Sequence, residues 1–208
     1  MFEVEIRCHF DSRDDAYSSL PFLSSCLQHE MIWDSNIYGL GLFKSGRVLR
    51  ISKTIIDKAA KCFLGLKQMD IGEFANIRQE TDEDITNGIA NSTILKALKG
   101  KEQVKTPDEI IRELKHLGYH PFMSYQGKDL FGYYEPFNVN LKLMSCQVLK
   151  WPLLVELEMM AKTEAEAKQC EKELRKLCHQ FRLEDRLVRE EPVTLLYNAV
   201  FNREYTNI

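Results

Sequence analysis

Long apolar runs are missing from this 208-residue sequence. No stretch approaches the roughly 18 consecutive apolar residues of a membrane-spanning helix, so none is expected. Closely spaced cysteine pairs are missing as well. Cys8, Cys26, Cys62, Cys146, Cys170 and Cys178 are scattered without a Cys-x-x-Cys. That pattern argues against a zinc site or a redox motif and reads as reduced thiols in the cytoplasm. An excess of positive charge is absent too: 28 Lys and Arg face 31 Asp and Glu, for a net charge of −3. Such a balance offers no general attraction to nucleic acid or to an acidic membrane surface. Glu3 and Glu5 stand where a secretory signal needs positive charge and then an apolar run. Low-complexity segments and sharp shifts of composition are also lacking, which predicts a single domain over residues 1–208.

What is present is the composition of a soluble globular chain, 44% apolar and 28% charged, long enough to bury a core. Two helices carry start signals. Thr106, Pro107 and Glu109 open one with a capping box, its apolar stripe is Ile110, Ile111, Leu114 and Leu117, and Gly118 suits a left-handed end. Thr163 and Glu166 open another over 163–182, with Ala167, Cys170, Leu174, Leu177 and Phe181 on its buried side. Part of 13–30 reads as a helix interrupted by Pro21, and 92–99 as a short one. Strands are predicted at 2–9, 47–53, 62–68, 74–81, 130–134, 138–149 and 153–160. They do not alternate regularly with helices, which favours an α+β protein: an antiparallel sheet or barrel with helices packed outside. "WDSNIY", residues 33–38, reads as a turn between strands held by Asp34 and Asn36.

Several strands share one chemical habit. In "FEVEIRCHF", residues 2–10, Phe2, Val4, Ile6 and Cys8 alternate with Glu3, Glu5, Arg7 and His9. "VELE" places Glu156 and Glu158 opposite Val155 and Leu157. Arg50 alternates with Leu49 and Ile51, Lys67 closes "FLGLK", and Arg78, Glu80 and Asp82 share a parity in "IRQETD". One such face is most simply a solvated surface. Five together point to a lined site, because the two Glu-x-Glu pairs set carboxylates about 7 Å apart along a strand. Carboxylates of that kind suit Mg²⁺ or Mn²⁺. Arg7, Arg50, Lys67 and Arg78 suit phosphate oxygens.

The ordered set "EVEIR", "WDSNIYG", "LRIS", "FLGLK", "IRQETD" and "VELE" resembles the CYTH family over nearly the whole chain. These triphosphate tunnel metalloenzymes include class IV adenylate cyclases, thiamine triphosphatases and inorganic triphosphatases. The resemblance implies an antiparallel eight-stranded β-barrel whose charged interior forms a tunnel, with helices packed outside. It implies that Glu3, Glu5 and Arg7 are catalytic, with Arg7 in the place of the family's lysine. It places metal on Glu3, Glu5, Glu80, Glu156 and Glu158, and triphosphate on Arg7, Arg50, Lys53, Lys67, Arg78 and Lys128. Mg²⁺ or Mn²⁺ is the implied cofactor and a small-molecule triphosphate the implied partner, for a cytoplasmic monomer or homodimer. The implied activity is metal-dependent hydrolysis of inorganic, nucleoside or thiamine triphosphate. Adenylate cyclisation, or polyphosphate or nucleotide binding with weakened catalysis, is the alternative. Gly39 and Ser52 depart from the family's aspartate and second arginine. After the central helix only Lys128 stands for its Lys-x-Arg, and near Cys146 or Leu149 its aspartate is missing.

Overall fold

The structure is a computed structural model and describes residues 1–145 and 151–201. Its first half contains β1 (Phe2–Phe10), α1 (Arg13–Ser19), α2 (Leu23–Cys26), β2 (Leu27–Tyr38), α3 (Leu40–Lys44), β3 (Val48–Ile56), β4 (Ala59–Lys67) and β5 (Asn76–Asp84). Then come α4 (Thr93–Ala97), α5 (Pro107–His116), β6 (Pro121–Tyr134), β7 (Val139–Ser145), β8 (Leu153–Ala161), α6 (Glu164–Gln180) and α7 (Pro192–Phe201). The expected α+β class and antiparallel eight-stranded barrel are both observed. The strands close in the order β1-β5-β4-β3-β2-β6-β7-β8. Cys146 and Leu149, and with them the end of the strand predicted at 138–149, lie outside the described residues.

Contacts divide the chain into two compact units. One comprises Met1, Met31–Asp70 and Arg78–Gln126; the other comprises Phe2–Glu30, Ile71–Ile77 and the chain from Gly127 onward.

In the first unit β3 and β4 form a hairpin, with Ile56 opposite Ala59. The two turn residues, Asp57 and Lys58, both have positive φ, as a twist-matched two-residue loop requires. Leu49 and Ile51 of β3 and Leu64 and Leu66 of β4 bury against Ile94 and Leu95 of α4 and Ile110 and Leu114 of α5. Both helices start on side-chain caps. Ser92 accepts from the amide of Leu95, and Thr106 from that of Glu109.

The second unit is built around β1 and β8, paired so that Glu5 faces Glu158 and Arg7 faces Glu156. Val4, Ile6 and Cys8 join Val155 and Leu157 in one core with Ala167, Leu174, Leu177 and Cys178 of α6. The apolar side of β1 is therefore the side covered by a helix. Its charged side is buried as well: Glu3 is 7%, Glu5 2% and Arg7 0% exposed.

One expectation is corrected: "WDSNIY" is not a turn but the second half of the twelve-residue β2. The helix expected over part of 13–30 with an interruption at Pro21 is observed as two short helices on either side of that proline. Apolar residues fall on both parities of β2 (Met31, Trp33 and Ile37 against Ile32 and Tyr38), so alternation did not mark it. Pairing supplied what pattern lacked, since every residue from Met31 to Tyr38 faces a partner on β3.

Candidate functional site: two ion-paired clusters

In the second unit Arg7 lies at the centre of a ring of acceptors. Its Nε donates to Glu156 Oε1 at 2.8 Å, and Nη1 donates to Asn76 Oδ1 at 3.0 Å and to the Glu190 carbonyl at 3.5 Å. Nη2 donates to Glu191 Oε1 at 2.8 Å and to Glu5. Burial alone would weaken this cation. The carboxylates of Glu191, Glu5 and Glu156 outweigh burial and hold its pKa well above the usual arginine range. The second oxygen of Glu156 accepts from Lys142 at 2.9 Å, and Lys142 also lies 3.8 Å from the buried Asp129. The cluster thus draws on β1, β5, β6, β7, β8 and the residue preceding α7.

The first unit holds a related arrangement. Arg50 of β3 donates through Nη2 to Glu80 Oε1 at 2.8 Å and to Asp82 Oδ2 at 3.2 Å, both on β5. Lys67 of β4 lies 3.6 Å from the other oxygen of Glu80. Gly65 stands opposite both Arg50 and Asp82, where a Cβ would come within 2.3 Å of Asp82 Oδ1 and 2.9 Å of Arg50 Nε. The missing side chain lets Arg50 lie across β4, which explains a glycine inside a strand. Arg78 donates to the carbonyls of Gly46 and Gln68.

The other expected positions are distributed as follows. Lys53 is exposed and shares the parity of Leu49 and Ile51, on the strand face that carries the core. Lys128 is exposed and pairs with Glu30 at 2.5 Å, outside the Arg7 ring. Ser52, at the place of the family's second arginine, meets Ser35 Oγ at 2.7 Å as a neutral buried pair. Gly39 has φ +71°, and a Cβ there would lie 2.8 Å from Tyr119 Cδ1, so an aspartate does not fit this backbone. Glu3 lies on the same face of β1 as Glu5. Glu158, opposite Glu5, accepts from Asn140 Nδ2 at 3.5 Å.

Asp129, Lys142 and Glu191 were not singled out by sequence reasoning. Lys142 had a signal, because it alternates with Leu141 and Leu143 in "VNLKLM". Asp129 sits one residue from Lys128, so the wrong parity was read there. Glu191 precedes a proline in a loop and carries no periodic signal.

These contacts decide how a hard divalent cation could be held. Glu80 and Glu156 each have one oxygen on an arginine and the other near a lysine. Among the described residues, no group of three or more His, Cys, Asp or Glu side chains could hold a metal ion. Glu5 also gives one oxygen, Oε1, to Arg7, and it stands opposite Glu158. Like charges directly opposite on paired strands are unfavourable, and a cation relieves them. One or two carboxylates are the usual protein share of a Mg²⁺ site completed by phosphates. A divalent cation held by Glu5 and Glu158 would share Glu5 with the Arg7 guanidinium.

No protein-family profile matches the sequence, and no curated protein matches it. Solved structures do. The chain is similar to the PH1819 protein of Pyrococcus horikoshii OT3, with 18% identity, a TM-score of 0.72, and coverage of 94% of this chain and 98% of that one. It is similar to a candidate adenylate cyclase from Vibrio parahaemolyticus, at 16% identity and TM-score 0.63, covering 94% and 98%. It is also similar to a Hippeastrum adenylyl cyclase homologue with a dominant triphosphatase activity, at 16% identity and TM-score 0.58, covering 95% of each chain. At these identities the likeness establishes a shared fold along almost the whole chain.

Proposed function

We propose that the chain is a divergent CYTH protein that binds the triphosphate group of a small molecule and hydrolyses it with a divalent cation. The observation that carries this reading is the buried charged face of β1 and β8. Glu5, Arg7 and Glu156 are 2%, 0% and 5% exposed, on strands whose opposite face is already apolar core. Taking charges out of water costs several kcal/mol per ion, so such a face is a poor way to gain stability. Strongly perturbed ionisable groups gather at functional sites. The fold shared with the Hippeastrum triphosphatase supports the reaction class.

Arg50 is the residue best suited to grip phosphate. It is partly exposed, and its planar guanidinium can exchange Asp82 for a pair of phosphate oxygens. Lys67 adds a point charge beside Glu80, and Lys142 does the same beside Asp129 and Glu156. Arg78, already turned toward two carbonyls, orders the backbone at Gly46 and Gln68. Glu5 and Glu158 would hold the Mg²⁺ or Mn²⁺. Bound there, the cation would supply positive charge against what develops on the phosphates during transfer. Glu3, on the same strand face, would take the proton of the attacking water.

A second reading has its own observation. Glu80 and Glu156 are each engaged by two basic side chains, which favours a module that binds polyphosphate or nucleotide without turnover. One assay separates the two. Pure protein is incubated with tripolyphosphate, ATP or thiamine triphosphate, with Mg²⁺ or Mn²⁺. Phosphate release that Glu158→Gln abolishes is the expected result. Cyclic AMP with pyrophosphate from ATP would instead mark a cyclase. Binding without product would mark the module, and neither binding nor product would sink the proposal.

A further inference from the structure

We infer that the molecule gripped by Arg50 is a nucleoside triphosphate whose base stacks on Trp33; this rests on the reading of Arg50 as the phosphate grip. Arg50, Ser52 and Thr54 of β3 lie opposite Ile37, Ser35 and Trp33 of β2, and opposite Gly65, Phe63 and Lys61 of β4. The contact between Ser35 Oγ and Ser52 Oγ fixes these residues on one strand face, the face that carries Arg50. Tyr125 of β6 joins them, with its ring centre 5.1 Å from that of Trp33 and the two planes at 74°. The other face of β3 and β4 is the core under α4 and α5. Along the Arg50 face the chemistry changes in steps. A guanidinium is followed about 7 Å further on by two hydroxyls, and about 14 Å on, around Thr54, by aromatic rings.

Phosphates, sugar hydroxyls and base follow one another in the same order. Trp33, Phe63 and Tyr125 are each partly exposed. The nearly perpendicular Trp33 and Tyr125 make a corner, in which a base stacked on the indole turns its edge to the phenol ring. Those are the two arrangements that aromatic pairs favour, and stacking of this kind accepts any base. Ser35 and Ser52 are buried, and their mutual hydrogen bond uses only one of their two hydroxyl protons. The other is left to donate to a ribose oxygen. Thr54 points the same way independently. It is 9% exposed, and its buried Oγ1 has no hydrogen-bond partner among the described residues. A hydroxyl buried unpaired is costly, and valine has its shape without that cost, so packing does not account for a threonine here. Opposite Trp33, this hydroxyl is placed to meet the polar edge of a base held on the indole. Inorganic triphosphate offers only charge and oxygen atoms, and three rings give it nothing.

Titration calorimetry on the full chain with Mg²⁺ compares two probes that resist cleavage, the nitrogen-bridged analogues of ATP and of tripolyphosphate. The wild type should bind the ATP analogue more tightly, by at least about ten-fold. Trp33→Leu should weaken the ATP analogue by about 5- to 100-fold and leave the tripolyphosphate analogue within about two-fold of wild type. Thr54→Val should weaken only the ATP analogue, by about three-fold or more, while its unfolding midpoint stays level or rises because the lost hydroxyl had no partner. That second variant keeps the test independent of whether Trp33→Leu folds. Equal affinity of the wild type for the two analogues, or equal loss of both in the variants, would overturn the inference and leave the proposed function standing. Tighter binding of thiamine triphosphate than of the ATP analogue would also overturn it. Binding of neither analogue would sink the proposed function and the inference together. The ring-dependent contrast without phosphate release from ATP would support the inference and count against hydrolysis alone.

Discussion

Glu80 and Glu156 perform the same electrostatic task under different solvation. Each lies between an arginine and a lysine: Arg50 of β3, reaching across β4, and Lys67 of β4 for Glu80, and Arg7 and Lys142 of the two neighbouring strands for Glu156. In the first unit the cluster touches water. The Arg50 side chain is 28% exposed and that of Asp82 40%. In the second unit the arginine is sealed and all its donors are used. Interactions between charges grow several-fold as water is excluded. The exposed cluster can therefore exchange partners at small cost, and the sealed one holds a fixed arrangement. A guanidinium is free for a ligand only where solvent can replace its protein partners.

The largest expected effect tests the sealed side. Arg7→Met leaves Glu5, Glu156 and Glu191 buried without their shared cation and should cost ~3–5 kcal/mol in denaturant unfolding. A loss below ~1 kcal/mol would erase the contrast with Arg50.

Glu171 extends the contrast to a carboxylate satisfied by backbone alone. Its Oε1 accepts from the amides of Glu73, Phe74 and Ala75, pinning the segment that leads into β5 to α6. Burial pushes this carboxyl up, but those three amides and the Lys168 ammonium outweigh it and hold it below the usual range. Its folded pKa is thus depressed. The stability it contributes is present above the ordinary glutamate pKa of about 4.3 and lost as pH falls through the folded value. Glu171→Gln should cost ~1–3 kcal/mol at neutral pH and flatten the acid limb of unfolding curves. An unchanged acid limb would show that other carboxylates set it.

On the exposed side, Gly65→Ala pushes on the movable ends of Arg50 and Asp82. A stability loss of about 1 kcal/mol is expected, together with weaker tripolyphosphate binding by calorimetry. Unaltered binding would remove Arg50 from the phosphate site. Smallest in stability is Arg50→Ala, within ~0–1 kcal/mol of wild type because its partners stay hydrated. The same variant should still lose tripolyphosphate affinity. A large stability loss there would show the two clusters to be alike after all.

Much of the fold was legible in the sequence because it follows from local chemistry. The side-chain caps at Thr106 and Thr163 are where spacing put them, each accepting from the amide three residues on. The alternation of β1 and β8 marked two strands whose apolar face sits under α6. β2 was missed because its apolar residues do not keep one parity. Only pairing with β3 makes a strand of it. The site was half legible in the same way. Arg50, Lys67, Glu80 and Asp82 share strand faces that parity reveals, and they meet in space. Asp129 and Glu191 became visible only when distant segments were brought to Arg7 and Lys142.

By itself the sequence determined which side chains alternate, where helices start, and that carboxylates and basic groups occupy one strand face. Those properties depend on neighbours a few residues away. Tertiary structure alone decided the state of each charge. It set Arg7 against an acceptor 184 positions along the chain and left Arg50 beside water. Solvation is a property of the assembled surroundings, and no local pattern encodes it. The same Arg–Glu–Lys chemistry therefore becomes a locked support in one unit and an exchangeable cluster in the other.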